Sequence, residues 1–147
     1  MAILDTEAYL DAVCRMIGEG RENVPVPILG DSMRPFLRSG DFAYLTALPD
    51  RIKPGDILLF RRENHRYVLH RVYKIRKDGN LLLLGDSQLT TEAVLANQLR
   101  AKVSFVRRAN QDCRPGSFRW WFFAGPWLRL ARWRPQIAKL LALFRKQ

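Results

Sequence analysis

The sequence predicts a mainly β domain with an amphipathic helix before it and a basic amphipathic helical tail after it. Short apolar runs bounded by Gly, Pro and Asp turn signals fill the middle of the chain, whereas helical spacing is confined to its two ends. The boundaries are residues 1–20 for the helix, 21–109 for the β domain and 110–147 for the tail. With 147 residues, 48% of them hydrophobic, the chain is long enough to bury one core.

The positive charge of the chain is concentrated in its second half. The net charge of +11 divides into −3 for residues 1–60, +6 for 61–112 and +8 for 113–147. A basic half indicates an anionic partner, either lipid headgroups or nucleic acid, but the acidic first part argues against a general nucleic-acid binder. We therefore expect a membrane surface rather than nucleic acid.

The chain contains two cysteines, Cys14 and Cys113, which lie far apart in different kinds of segment. This pair fits neither a disulfide framework nor a metal site, so reduced thiols are expected, and no metal or cofactor. Acidic residues interrupt the apolar character of the first 17 residues, and no run of 18 apolar residues occurs. We expect neither an N-terminal signal nor a transmembrane helix, and a cytoplasmic or peripheral-membrane location.

Each predicted element has its own local signal. Helical spacing of apolar residues covers 5–18, and prolines make 24–29 extended. Asp78-Gly79 between two apolar runs favours a type I′ hairpin. Asp41 and Asp56 precede strands and are predicted to accept turn N–H groups. Strands are predicted at 42–46, 57–60, 67–77, 80–84 and 101–107, a helical turn at 93–98 and a linker at 110–117.

Ser32 lies at the end of the extended segment, where Pro35 prevents an ordinary helix interior. Met33, Phe36 and Leu37 surround it with apolar side chains. A serine nucleophile needs this fixed backbone, partial exposure and low local dielectric.

His70 lies in the middle of a predicted strand, on the same face as Val68 and Val72. From the residues alone, this imidazole is either a satisfied core histidine or a base held in a dry pocket. Asp86 follows the next strand, where an aspartate commonly bonds to the backbone of its own turn.

Four stretches between residues 24 and 108 together resemble type I signal peptidases and the related self-cleaving repressor domains. Ser-Met-x-Pro-x-Leu-x-x-Gly-Asp at 32–41 resembles their nucleophile box, and Pro-Gly-Asp at 54–56 their second box. His70-Arg71 resembles the pair that supplies the base in the Ser-His branch, which includes the endoplasmic-reticulum type. Gly-Asp-Ser-Gln at 85–88 resembles the Gly-Asp-Asn-Asn box, with Ser-Gln in place of Asn-Asn.

The resemblance implies the catalytic β-fold of signal peptidases and repressors, and a serine endopeptidase that cleaves leader or signal segments of polypeptides. In it, Ser32 is the nucleophile and His70 the general base. Asp86 orients the histidine, with Glu92 as the alternative. The alternatives for function are an inactive scaffold of the same fold that binds peptides or membranes, and a self-cleaving regulator. The expected substrate-binding residues are Met33, Pro35, Phe36 and Leu37.

The tail, residues 118–147, combines aromatic and aliphatic residues with basic ones. This pattern is typical of a helix that lies in a membrane interface, and packing on the domain or on a partner protein is the alternative. One face carries Leu130, Trp133, Ile137, Leu140, Leu141 and Phe144, and the other Arg132, Gln136, Lys139 and Lys146.

Overall fold

The computed structural model describes residues 6–146 and confirms a mainly β fold with a helix before the sheet and helices after it. The first residues of the predicted N-terminal helix, 1–5, lie outside the described part. The helices are α1 (Thr6–Gly18), α2 (Phe118–Ala124), α3 (Pro126–Arg129) and α4 (Arg134–Arg145), with 3₁₀ turns at Ala96–Gln98 and Ala131–Trp133. The strands are β1 (Val24–Pro27), β2 (Phe42–Thr46), β3 (Ile57–Arg61), β4 (Tyr67–Ile75), β5 (Leu81–Leu84), β6 (Glu92–Val94), β7 (Leu99–Arg108) and β8 (Gln111–Cys113).

The eight strands form one antiparallel sheet in the order β1-β2-β7-β3-β4-β5-β6, with β8 paired to β7. β1 pairs only with β2. β4 pairs with a different neighbour in each half: its residues 67–71 pair with β3 and its residues 71–75 pair with β5. Within the described part of the chain, β1 and the first half of β4 are thus among the stretches that pair on one side only, as are β6, β8 and residues 72–75.

β3 is buried on both faces, which explains why its sequence shows no alternation. Ile57 and Leu59 join one apolar cluster with α1, β1, β2 and β7, whereas Leu58 and Phe60 join a second cluster with β4, β5 and β6. The sheet therefore separates two apolar layers.

The predicted hairpin is confirmed, since β4 and β5 pair antiparallel, but its turn is not of type I′. In this turn only Gly79 has a positive φ (+88°), and the N–H of Gly79 donates to the carbonyl of Arg76. The Asp78 carboxylate accepts from the N–H of Asn80 at 2.9 Å, which holds the chain in a longer turn with glycine in the left-handed position. The predicted helical turn at 93–98 is also shorter, since β6 occupies its first part.

The beginning of the tail is part of the folded body. The predicted linker contains β8, and Trp120 of α2 packs edge-on against Phe36 with ring centroids 5.4 Å apart. Leu128 and Arg134 are also buried, so the alternative of packing on the domain holds for this stretch, while residues 138–146 are exposed. Within residues 6–146, no helix has both the length and the apolar character needed to cross a bilayer.

Candidate active site

Ser32 lies in the loop of residues 28–41 between β1 and β2, whose base is closed by backbone hydrogen bonds. The N–H of Ile28 donates to the carbonyl of Asp41 at 2.8 Å. The Asp41 carboxylate accepts from the N–H of Arg38 at 2.9 Å and from the Arg108 guanidinium. Asp56 likewise accepts from a turn N–H, so the structural role predicted for both aspartates is confirmed. Ser32 itself is half-buried.

His70 lies in the half of β4 that pairs only with β3, and only 2% of the residue is exposed. Its ring stands at 61° to the ring of Phe60, and its Nδ1 is buried with no hydrogen-bond partner among the described residues. Burial lowers the pKa of His70 to about 4, while Glu92 raises this pKa and Arg62 lowers it. The imidazole is therefore neutral at pH 7.

Ser32 and His70, 38 residues apart in sequence, line one groove of about 500 Å³. No hydrogen bond joins the two side chains. Residues 28–31, 66–69 and Gln88 complete most of the wall. The structure thus brings the predicted nucleophile and base to one surface depression.

Only one of the four expected substrate-binding residues, Met33, lines this groove. Phe36 and Leu37 are fully buried, and Pro35 is exposed outside the groove lining. The turn directs Phe36 into the core, where the Arg71 guanidinium lies 4.9 Å from its ring centroid. The expectation that Phe36 and Leu37 contact substrate is therefore wrong, whereas that for Pro35 stays a prediction.

Asp86 does not orient His70. Its two carboxylate oxygens accept from Nε and Nη2 of Arg71 at 2.8 Å each, and both residues are at most 1% exposed. Because Arg71 follows His70 directly in β4, the two side chains point to opposite faces of the sheet. Asp86 lies on the face of Arg71, so the predicted partnership with the histidine is wrong.

Glu92, the alternative partner, acts on His70 electrostatically and makes no hydrogen bond to it. Its carboxylate accepts from Nε and Nη2 of Arg62 at 2.9 and 2.7 Å, and these hydrogen bonds lower the pKa of Glu92. Neither candidate carboxylate is bonded to the ring, which leaves a Ser-His pair rather than a triad. Within residues 6–146, no three His, Cys, Asp or Glu side chains are placed to hold a metal ion.

The 85–88 turn fixes the backbone at Ser32. The N–H of Ser87 donates to the carbonyl of Ser32 at 3.0 Å, and Ser87 Oγ donates to the carbonyl of Asp31 at 2.8 Å. A Cβ on Gly85 would lie 2.4 Å from the Ser32 carbonyl oxygen, so this approach requires glycine. Sequence reasoning missed this positioning role, because no local pattern indicates which distant carbonyl a turn N–H will reach.

Two side chains of the tail also hydrogen-bond to the backbone of the 85–88 turn. Trp127 Nε1 donates to the carbonyl of Asp86 at 2.8 Å, and Nη1 of the buried Arg134 donates to the carbonyls of Gly85 and Gln88 at 3.1 Å each. The turn behind the candidate nucleophile is thus held by the tail as well as by the sheet.

Comparisons of the chain with protein-family models, with curated proteins and with solved structures gave no match.

Replacing Asp86 with alanine should lower the free energy of unfolding by roughly 3–5 kcal/mol, because the Arg71 guanidinium would remain buried without its counter-charge. Urea denaturation at pH 7 measures this loss. The double replacement Arg71→Met/Asp86→Leu should recover most of it, since no charge is then left buried. Asp112→Ala, which removes an exposed pair with Arg107, is the matched control and should cost far less. An Asp86→Ala variant as stable as the wild type would contradict the assigned role.

Stability should fall as the pH is lowered from 6.5 to 4, by an amount on the order of 3 kcal/mol attributable to His70. In this window the unfolded chain binds a proton at His70 and the native chain does not, so acid favours unfolding. Urea denaturation across this range, compared between wild type and His70→Gln, isolates the contribution. His65→Gln, at an exposed histidine, should retain the wild-type slope. Parallel curves for wild type and His70→Gln would contradict the low pKa.

Proposed function

We propose that this protein is a serine endopeptidase in which Ser32 is the nucleophile and His70 the general base. The observation that supports this most is the shared groove, to which both side chains contribute. The unpartnered Nδ1 adds to it, because a histidine kept only for packing normally has its buried nitrogen satisfied. Because Nδ1 is buried, Nε2 is the ring nitrogen that would accept the proton of Ser32 in the groove.

In the proposed reaction, His70 takes the proton of the Ser32 hydroxyl as Oγ attacks the peptide carbonyl carbon. The tetrahedral intermediate then loses the amine, which receives the proton from His70, and leaves an acyl-serine. Water, deprotonated by the same imidazole, releases the acid and restores the hydroxyl. A pKa of about 4 keeps His70 in its basic form at pH 7, and the Glu92 carboxylate favours the imidazolium formed during attack.

The strand pairing supports a polypeptide as the substrate. β1 and residues 67–70 of β4 pair on one side only, and residues 28–29 just after β1 and 67–70 both line the groove. An extended peptide could add to such an edge through backbone hydrogen bonds, with its alternate side chains in the groove. Within this class, leader or signal segments remain our proposal from the resemblance at 32–41 and 85–88.

An inactive peptide-binding scaffold is the second candidate. It is favoured by the lack of a hydrogen bond between Ser32 and His70 and by the low pKa of the histidine, since a weak base removes a proton poorly. Both candidate functions use the same groove, and they differ in whether Ser32 reacts with the bound peptide.

An alkyl fluorophosphonate should label Ser32 covalently, because phosphonylation requires an activated serine but no knowledge of the natural substrate. Intact mass and peptide mapping by mass spectrometry measure the adduct. Ser32→Ala should abolish it and His70→Ala should slow it by about 100-fold or more. The rate should stay constant from pH 8 down to about 5 and fall only near the His70 pKa of about 4.

Ser104→Ala, in β7 and outside the groove lining, is the matched control and should react like the wild type. Cleavage of a peptide library by wild type but not by Ser32→Ala would then define the specificity. Absence of labelling in the folded wild-type chain, or equal labelling of Ser32→Ala, would support the scaffold instead.

A further inference from the structure

We propose that the end of the tail binds the surface of an anionic lipid bilayer through the apolar face of α4. This binding is independent of whether Ser32 is reactive. It concerns the part of the tail that does not pack on the body.

The apolar face of α4 has no partner within the described part of the chain. Leu140, Leu141 and Phe144 share one side of the helix and are 55%, 56% and 68% exposed. Every residue from 138 to 146 is exposed, whereas Arg134 at the start of the helix is buried. The helix is thus attached at one end and presents a row of large apolar side chains to its surroundings, as an interfacial helix does.

The charge of the tail fits an anionic surface. Residues 113–147 contain eight Lys or Arg and no Asp or Glu. Lys139 and Lys146 lie on the side of α4 opposite Leu140 and Phe144, and neither forms a salt bridge within residues 6–146. Long cationic side chains on the polar side of an interfacial helix can reach lipid phosphates while the apolar side chains enter the acyl boundary. Further exposed cations without a salt bridge are Arg129, Arg132 and Arg145.

The composition of α4 also argues against two other partners for its apolar face, a second copy of the chain and a nucleic acid. Two copies of α4 would repel each other because their only charged side chains are cations, which disfavours dimerisation through this helix. A nucleic acid would attract the cations but leave the leucines and the phenylalanine in water. A bilayer with anionic headgroups satisfies both kinds of side chain.

The attachment of α4 connects this surface to the groove. Arg134 donates to Gly85 and Gln88, and Gln88 lines the groove together with Ser32. A bilayer bound along α4 would therefore hold the 85–88 turn at a fixed orientation to the membrane. Polypeptides that emerge at the membrane surface would then be the ones presented to the groove.

Flotation of the full chain with lipid vesicles tests the proposal, with fluorescence of the half-exposed Trp133 and the other tryptophans as a second readout. The chain should float with mixed phosphatidylcholine and phosphatidylglycerol vesicles and bind pure phosphatidylcholine weakly. Replacing Leu140, Leu141 and Phe144 together by serine should weaken binding by about 10-fold or more. Ile75→Ser/Leu89→Ser/Leu95→Ser, at exposed apolar positions outside the tail, is the matched control and should bind normally.

Lys139→Gln/Lys146→Gln should weaken binding to anionic vesicles only, and Arg76→Gln/Lys77→Gln in the hairpin turn should not. Circular dichroism checks that each variant is folded, and Ser32→Ala should float like the wild type, so failure of the peptidase proposal leaves this result unchanged. The proposal is overturned if the folded chain fails to bind anionic vesicles, or if the triple tail variant binds as tightly as its control. Dimerisation through α4, or nucleic-acid binding that exceeds vesicle binding, would overturn it as well.

Discussion

The buried ion pair between Arg71 and Asp86 is the interaction on which the rest of the site depends. It joins the middle of β4 to the 85–88 turn, and Arg71 Nη1 also donates to the carbonyl of Gly55 before β3, at 3.0 Å. Removing two charges from water is costly, and apolar residues of similar volume would stabilise a core as well. Its two hydrogen bonds fix the orientation of both side chains, which apolar packing alone would leave less well defined. With Arg71 held on one face of β4, His70 must face the other, where its ring lies beside Phe60.

The candidate nucleophile is positioned by segments from three parts of the chain. Ser87 bonds to the backbone on the inner side of the Ser32 turn, and Arg108 in β7 holds Asp41 at its base. Trp127 and Arg134 brace the 85–88 turn from the tail. Most of these contacts are to backbone carbonyls, so they fix the path of the chain without occupying the groove.

The low pKa of His70 follows from the same architecture. Burial of the ring beside Phe60 removes water from it, and the nearby carboxylate of Glu92 is already engaged by Arg62. The imidazole is therefore neutral at pH 7, and its protonated form is poorly stabilised.

Features set by local pattern were predictable from the sequence. The bounds of β2 match the prediction, and β3 differs by one residue, because turn signals flank short apolar runs there. The partner of Asp86 was not predictable, since period-2 alternation separates His70 from Arg71 but does not tell on which side the 85–88 turn crosses. The burial of Arg134 also depends on carbonyls almost 50 residues away in sequence, which no local pattern encodes.

A crystal structure of the chain after reaction with a fluorophosphonate would test the central claim most directly. We expect phosphorus on Ser32 Oγ inside the groove, with a phosphonyl oxygen within hydrogen-bond reach of His70 Nε2 and Arg71 still paired with Asp86. An adduct on another residue, or an imidazole that stays out of reach of the phosphonylated serine, would contradict the account.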